Sequence, residues 1–170
     1  METTPTGPAS TDPAITDTPM TDAAATVRRE TLLPSSPERV MEALRDPELV
    51  ATWLGACSDD GTRVRTDDDV VRRITQCRRE GDHTLRWTWA PESRPEDRSE
   101  VVFTLTPEGS GTRLVVRETR APCVEARATA SVDAATGRTN ALALAADRWT
   151  GCLLALGAVL QAHAGHPAMR

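Results

Sequence analysis

"PERVMEALRDPELVATWLG", Pro37 to Gly55, contains two short helical phrases broken at Asp46-Pro47, with a tryptophan just before a glycine stop. Ser35 or Ser36 can accept from the free amides of a helix start, Pro37 suits the first helical turn, and Glu38 favours the positive end of the helix dipole. Val40, Met41 and Leu44 then share one apolar face. Pro47 forces the residue before it, Asp46, out of helical geometry, so the chain bends there. The second phrase, Pro47 to Trp53, sets Leu49, Val50 and Trp53 on a common side, and Gly55 closes it. The pattern predicts a bent helical pair rather than one continuous helix.

Upstream, "ATVRRETLL", Ala25 to Leu33, has the β-branched content and charge alternation of a strand, which Pro34 ends. Residues 1–24 are rich in Thr, Pro, Ala and Asp and nearly devoid of large apolar side chains. Such a stretch buries too little surface to offset its ordering entropy and is expected to be a disordered tail. Downstream of Gly55 the period switches to two. "GTRVRT", "VVRRITQC", "TLRWTWA", "SEVVFTLT" and "TRLVVRET" each read as a strand, separated by turn signals such as "SDDG", "REGD", "PESRPED" and "PEGSG". Loops this short make an antiparallel meander, since parallel crossovers need roughly a dozen residues or more. With the first strand, the expected sheet has six.

Alternation assigns the faces of the later strands. Leu85, Trp87 and Trp89 share one side, as do Val101, Phe103 and Leu105, then Leu114, Val116 and Glu118. Arg86, Glu100, Arg113 and Arg117 lie opposite, so one face is apolar and one is solvated. A final helix, about Asn140 to His163, carries Leu142, Ala145, Trp149, Leu153, Leu156 and Leu160 at three-and-four spacing. It would run ~36 Å, long enough to cross such a sheet. Between it and the last strand, Arg120 to Thr139 is polar and rich in small residues and reads as a loop with possible short structure. The expected organisation is a tail to residue 24, one domain over 25–164, and a short tail over 165–170.

The charge balance narrows the functional classes. Net charge is −5 and no basic cluster appears, which argues against nucleic acid or an anionic membrane as the main partner. All 20 basic residues are arginine, so neither a Schiff-base lysine nor a phosphate-loop lysine exists. Cys57, Cys77, Cys123 and Cys152 are too scattered for a zinc site or a compact disulfide framework, and free thiols in a reducing cytosol are the simpler reading. Met1 to Ala25 has no basic or apolar leader region, so a cytoplasmic location is expected. Trp149 to Met169 lacks charged residues, but its continuous apolar part, "CLLALGAVL", is much shorter than the ~20 residues of a bilayer span, and a core helix is expected instead. His163 and His166 are a weak metal pair without a third ligand, and no cofactor is expected. "TDDDV", Thr66 to Val70, lacks the glycine and distal glutamate of a calcium loop and reads as a solvated hairpin.

In this order, "LLPSSPERVMEALRDPELVATWLG", "LRWTWAPE", "SEVVFTLTPEGSGTRLVVRET" and "DRWTGCLLALGAVL" resemble the START-like (SRPBCC) superfamily, in the branch of homologues of the activator of heat-shock protein 90 ATPase. The likeness runs from about Thr26 to Leu160. It implies an α+β helix-grip fold, in which a curved six-stranded antiparallel sheet wraps a long C-terminal helix and two small helices plug one end. It also implies a hydrophobic cavity between helix and sheet, for which Trp53, Trp87, Trp89, Phe103, Val116, Glu118, Trp149 and Leu153 are the candidate lining. Plain core packing competes with this for each tryptophan. Glu118, on the apolar side of its strand, is either a cavity carboxylate with a raised pKa or the partner of a nearby arginine. The leading expectation is a binder of a small hydrophobic or amphipathic molecule. The alternatives are a polyketide cyclase or aromatase-like enzyme, a regulator of a chaperone ATPase, or the companion of a transcriptional repressor.

Overall fold

The computed structural model describes residues 25–120 and 132–164, with side chains over 139–163 in the second stretch. The elements in chain order are β1 (Thr26–Leu33), α1 (Pro37–Ala43), α2 (Pro47–Trp53), β2 (Ala56–Cys57), β3 (Arg63–Arg65), β4 (Val71–Glu80), β5 (Thr84–Pro91), β6 (Ser99–Glu108), β7 (Gly111–Arg120) and α3 (Val132–Ala164). The strands form one antiparallel sheet in the order β1-β7-β6-β5-β4-β3-β2, curled around α3. The architecture is the expected α+β helix-grip.

Three boundaries differ from the sequence reading. The sheet has seven strands rather than six, because Ala56 and Cys57 pair with Arg65 and Val64. A two-residue strand is too short to display any alternation. The last helix begins at Val132 rather than near Asn140, so part of the expected loop is helical. Its first turns, "VDAATGRT", have no apolar stripe to announce them. Its 33 residues span about 50 Å. Neither Ser35 nor Ser36 caps α1 with its side chain; Ser36 is the cap residue, and its carbonyl accepts from Val40 N at 3.1 Å. The expected tails over 1–24 and 165–170, and the 121–131 part of the expected loop, lie outside the described residues, as do Cys123 and His166.

The break at Asp46-Pro47 holds as a cap. Asp46 is extended (φ −74°, ψ 119°), and its carboxylate accepts from Glu48 N at 2.8 Å and Leu49 N at 3.3 Å. Two free amides at the start of α2 are thereby satisfied. At the far end of α2, Trp53 Nε1 donates to the Ala43 carbonyl at 2.9 Å, tying α2 back to the end of α1. Gly55 follows at φ 139°, where a Cβ would sit 2.0 Å from the Arg65 carbonyl oxygen. Only glycine permits this approach of the chain to β3.

The inner face of the sheet is the face assigned by alternation. Leu85, Trp87, Trp89, Val101, Phe103, Leu105, Leu114 and Val116 are all buried, and Trp149, Cys152, Leu153, Leu156 and Leu160 of α3 complete the core. Pairing of the first and last strands brings Val27 opposite Glu118 and Leu33 opposite Thr112. By length and composition Thr139–His163 does qualify as a candidate membrane span, contrary to the sequence reading. One side of it packs into the core, and Leu144 and Leu154 face outward.

Asp46→Ala removes the α2 cap and should destabilise the protein by about 1 kcal/mol, with Asp46→Asn close to wild type. Urea unfolding measures this, and an alanine variant as stable as wild type would contradict the cap's role.

Candidate functional site: a buried carboxylate and an open cleft

The chain's four tryptophans and single phenylalanine form one connected cluster. Trp53 stacks on Trp87 with ring centres 6.3 Å apart, and Trp87 meets Phe103 edge-on at 4.6 Å. Phe103 meets Trp149 edge-on at 5.7 Å, and Trp149 stacks on Trp89 at 5.7 Å. Such geometries follow the ring quadrupole and contribute about 0.5–1.5 kcal/mol per pair beyond burial. Val116 and Leu153 are buried in the same core.

Glu118 sits at the end of β7, 9% exposed, and its two oxygens take three donors. Trp89 Nε1 donates to Oε1 at 3.1 Å, Trp149 Nε1 donates to Oε2 at 2.7 Å, and the Arg148 guanidinium donates to Oε2 at 2.7 Å. Of the two sequence readings, pairing with an arginine is the one the structure displays. The two indole N–H groups, which need partners once buried, find the same carboxylate. All eight sequence-predicted site residues are therefore brought together in one packed centre, and of them Trp87 alone also borders open space.

The arginines extend this centre to the β3–β4 turn. Arg148 lies 3.5 Å from Asp68, and Arg72 donates to both Asp68 oxygens at 2.8 and 2.6 Å. Thr66 Oγ1 accepts from Arg72 and donates to Asp68. Both guanidinium groups sit over the Trp89 ring, at 5.3 and 5.4 Å from its centre. The expected solvated hairpin at Thr66–Val70 is therefore partly a core element, with Thr66 and Arg72 buried. Among the described residues, Arg148 Nε has no hydrogen-bond partner. Cys152, one turn beyond Arg148, has its thiol pushed up to about 11, chiefly by burial and secondarily by the Asp67 charge, which keeps it protonated and unreactive at neutral pH. His163 Nδ1 pairs with the Val159 carbonyl of its own helix at 2.8 Å.

Open space lies to one side of this centre. Between Ile74 and Gln76 the β4–β5 register shifts by one residue, so Ile74 faces Trp89 and Cys77 faces Trp87. Residues opposite one another share a face, so both point inward although they are three apart. From Thr75 onward β4 is exposed. The result is a cleft of about 310 Å³ between the α1–α2 elbow and β4. Leu44, Val50, Ile74 and Trp87 give it apolar walls. Arg45, Asp60, Thr62 and Gln76 give it polar ones. At one side Gly61, φ 66°, approaches Pro47 so closely that a Cβ would lie 3.0 Å from Pro47 Cγ. Of the sequence-predicted residues only Trp87 reaches this cleft. The signal for the rest was the polar run from Thr75 to Glu80, interrupted only by Cys77, which marks a strand leaving the core.

Burial raises the Asp68 pKa, but hydrogen bonds from Arg72 and Thr66, with the Arg72 charge, outweigh it and hold the carboxyl well below its ordinary value. A depressed folded-state pKa contributes stability that is present above the unfolded value and is lost as pH falls through the folded one. Asp68→Asn should therefore flatten the decline in stability between about pH 4 and the acid limit. Denaturant unfolding at a series of pH values tests this, and an unchanged acid limb would contradict it.

The comparisons place this architecture among known proteins. A protein from Mesorhizobium loti, MLL2253, is similar at 26% identity and a TM-score of 0.57 over 81% of this chain and 97% of that one. CalU16 from Micromonospora echinospora is similar at 21% identity and a TM-score of 0.54, over 79% and 75% of the two chains. The Aha1 dimer from Colwellia psychrerythraea is similar at 19% identity and a TM-score of 0.51, over 79% and 95%. No curated protein matches. The family profile described as "Activator of Hsp90 ATPase homolog 1-like protein" matches residues 34–143, from the approach to α1 into the first third of α3. By that match, and by a sheet gripping one long helix above a two-helix plug, the chain belongs to the activator of Hsp90 ATPase homolog 1-like family, within the START-like superfamily.

Proposed function

We propose that the protein binds a small apolar or amphipathic molecule, and that the binding place is the cleft between the α1–α2 elbow and β4. The observation that carries this reading is the open volume of about 310 Å³ with Trp87 in its wall, beside a centre that is itself packed. That volume falls at the small end of the range for ligand pockets, and apolar walls with a few polar groups are their usual composition. The Trp53 and Asp46 hydrogen bonds fix the shape of the elbow wall, and the β4 bulge that of the opposite wall. A binder fits better than a cyclase-type enzyme. Acid–base work needs ionisable groups converging on the substrate, whereas Glu118 is committed to three donors and the cleft's two charged residues are Arg45 and Asp60.

A panel of fatty, aromatic and polyketide-like molecules, followed by thermal unfolding and tryptophan fluorescence, tests the reading. A ligand at a hundred times its Kd adds about 2.7 kcal/mol, a rise in Tm of roughly 5–10 °C for a chain of this size. Cys77→Trp, at an exposed position facing Trp87, fills the cleft and should abolish the rise while preserving the fold. No rise with any member, or a rise that survives Cys77→Trp, would contradict the assignment.

A further inference from the structure

We infer that the occupant of the cleft carries a single carboxylate, and that Arg45 is the residue that receives it. This rests on the cleft being the binding place. On the solvated side of the sheet many guanidinium groups are matched with acids, Arg63 with Glu92, Arg86 with Glu80 and Glu100, Arg113 with Glu30 and Glu108, while Arg78 and Arg117, which have no such partner among the described residues, lie outside the cleft. On α1, Arg39 pairs with Glu42. Arg45 is exposed and makes no side-chain hydrogen bond or ion pair among the described residues, and it lines the cleft.

Its neighbours explain why it stays unmatched. Glu42, three residues before it, is held by Arg39 at 3.3 Å. The adjacent Asp46 spends its carboxylate on the amides of Glu48 and Leu49. Asp60, which also lines the cleft, accepts from Ser58 Oγ at 2.5 Å, from Thr62 N at 3.0 Å and from Thr62 Oγ1 at 2.8 Å. The Ser58 hydrogen bond, followed by those from Thr62, lowers its carboxyl to about 2, so it is anionic at any physiological pH. Arg45 thus presents unclaimed donors to a space whose own acid is satisfied.

The same inventory selects the anion. A planar guanidinium offers a fork of parallel N–H donors that a carboxylate accepts in pairs. A phosphate ester would bring up to two negative charges into a cleft that holds one arginine and one permanently ionised aspartate. A monoanion adds one net negative charge to a cleft whose own two charges cancel, and a doubly charged phosphate ester adds two. The remainder of the molecule would be apolar, to lie against Trp87, Ile74 and Val50.

The test pairs 2-naphthoate with 2-naphthamide, and decanoate with decanamide, which share their apolar parts and differ in charge. Isothermal titrations at pH 7 with wild type, Arg45→Gln, Arg45→Lys and Cys77→Trp give the affinities. The acid should bind wild type roughly five- to tenfold more tightly than its amide. Arg45→Gln should bring that ratio to one, Arg45→Lys should retain part of it, and 0.5 M salt should shrink it. Equal binding of acid and amide by wild type, or a preference that persists in Arg45→Gln, overturns the carboxylate assignment. In that case the cleft reading stands if amide binding is lost in Cys77→Trp. If neither member of either pair binds wild type, the cleft reading and this inference fall together.

Discussion

A carboxylate removed from water in the middle of an aromatic core is unfavourable unless its oxygens are met by donors. In this protein Glu118 is that group, and the arrangement around it depends on its being satisfied. Its three donors come from two elements far apart in sequence, β5 and α3, while Glu118 itself belongs to β7. To reach them, α3 must present Arg148 and Trp149 to the sheet at one rotation and one height. An apolar stripe alone tolerates sliding and rolling, whereas two directed hydrogen bonds from adjacent helix residues do not. The stacking of Trp149 on Trp89 and the cover that both arginines give the Trp89 ring follow from that placement.

With α3 held at this end by Glu118 and at its other end by α1 and α2, its reach across the sheet is settled. It lies along β1, with Trp149 against Trp89 and Phe103 of the central strands, and the far half of β4 is left exposed. The bulge at Ile74/Gln76 turns the uncovered strand so that Ile74 and Cys77 look inward on either side of the gap. The cleft is thus a consequence of where the helix stops covering, and the α1–α2 elbow supplies its opposite wall. The bent helical pair does more than close an end, because its corner at Leu44, Arg45 and Pro47 faces the open space.

Much of the fold was legible in the sequence. Period-two alternation in β5, β6 and β7 named the inward residues from Leu85 to Glu118, because each strand is long enough to repeat its pattern and one face is dry. The pre-proline break at Asp46 was legible because it is a steric effect between adjacent residues. The short β2 and the first turns of α3 were not, since neither carries a periodic apolar signal. The site was legible only in part. That Glu118 faces inward followed from alternation, but its donors are 29 to 31 residues away and are chosen by tertiary register. Thr66 read as part of a solvated hairpin because nothing local reports that α3 brings Arg148 to meet Asp68. Arg45 and Cys77 acquire interest only from the gap between elements that are distant in the chain.

The most direct measurement of this account is a double-mutant cycle on Glu118 and Arg148, with Glu118→Gln, Arg148→Met and the pair compared by urea unfolding. Each single change should cost about 3–5 kcal/mol, because each strands the other charge in the core. The double variant should cost less than the sum by about 1–3 kcal/mol, the signature of direct coupling. Costs below about 1 kcal/mol for Glu118→Gln, or strict additivity of the two changes, would contradict the claim that this carboxylate sets the helix on the sheet.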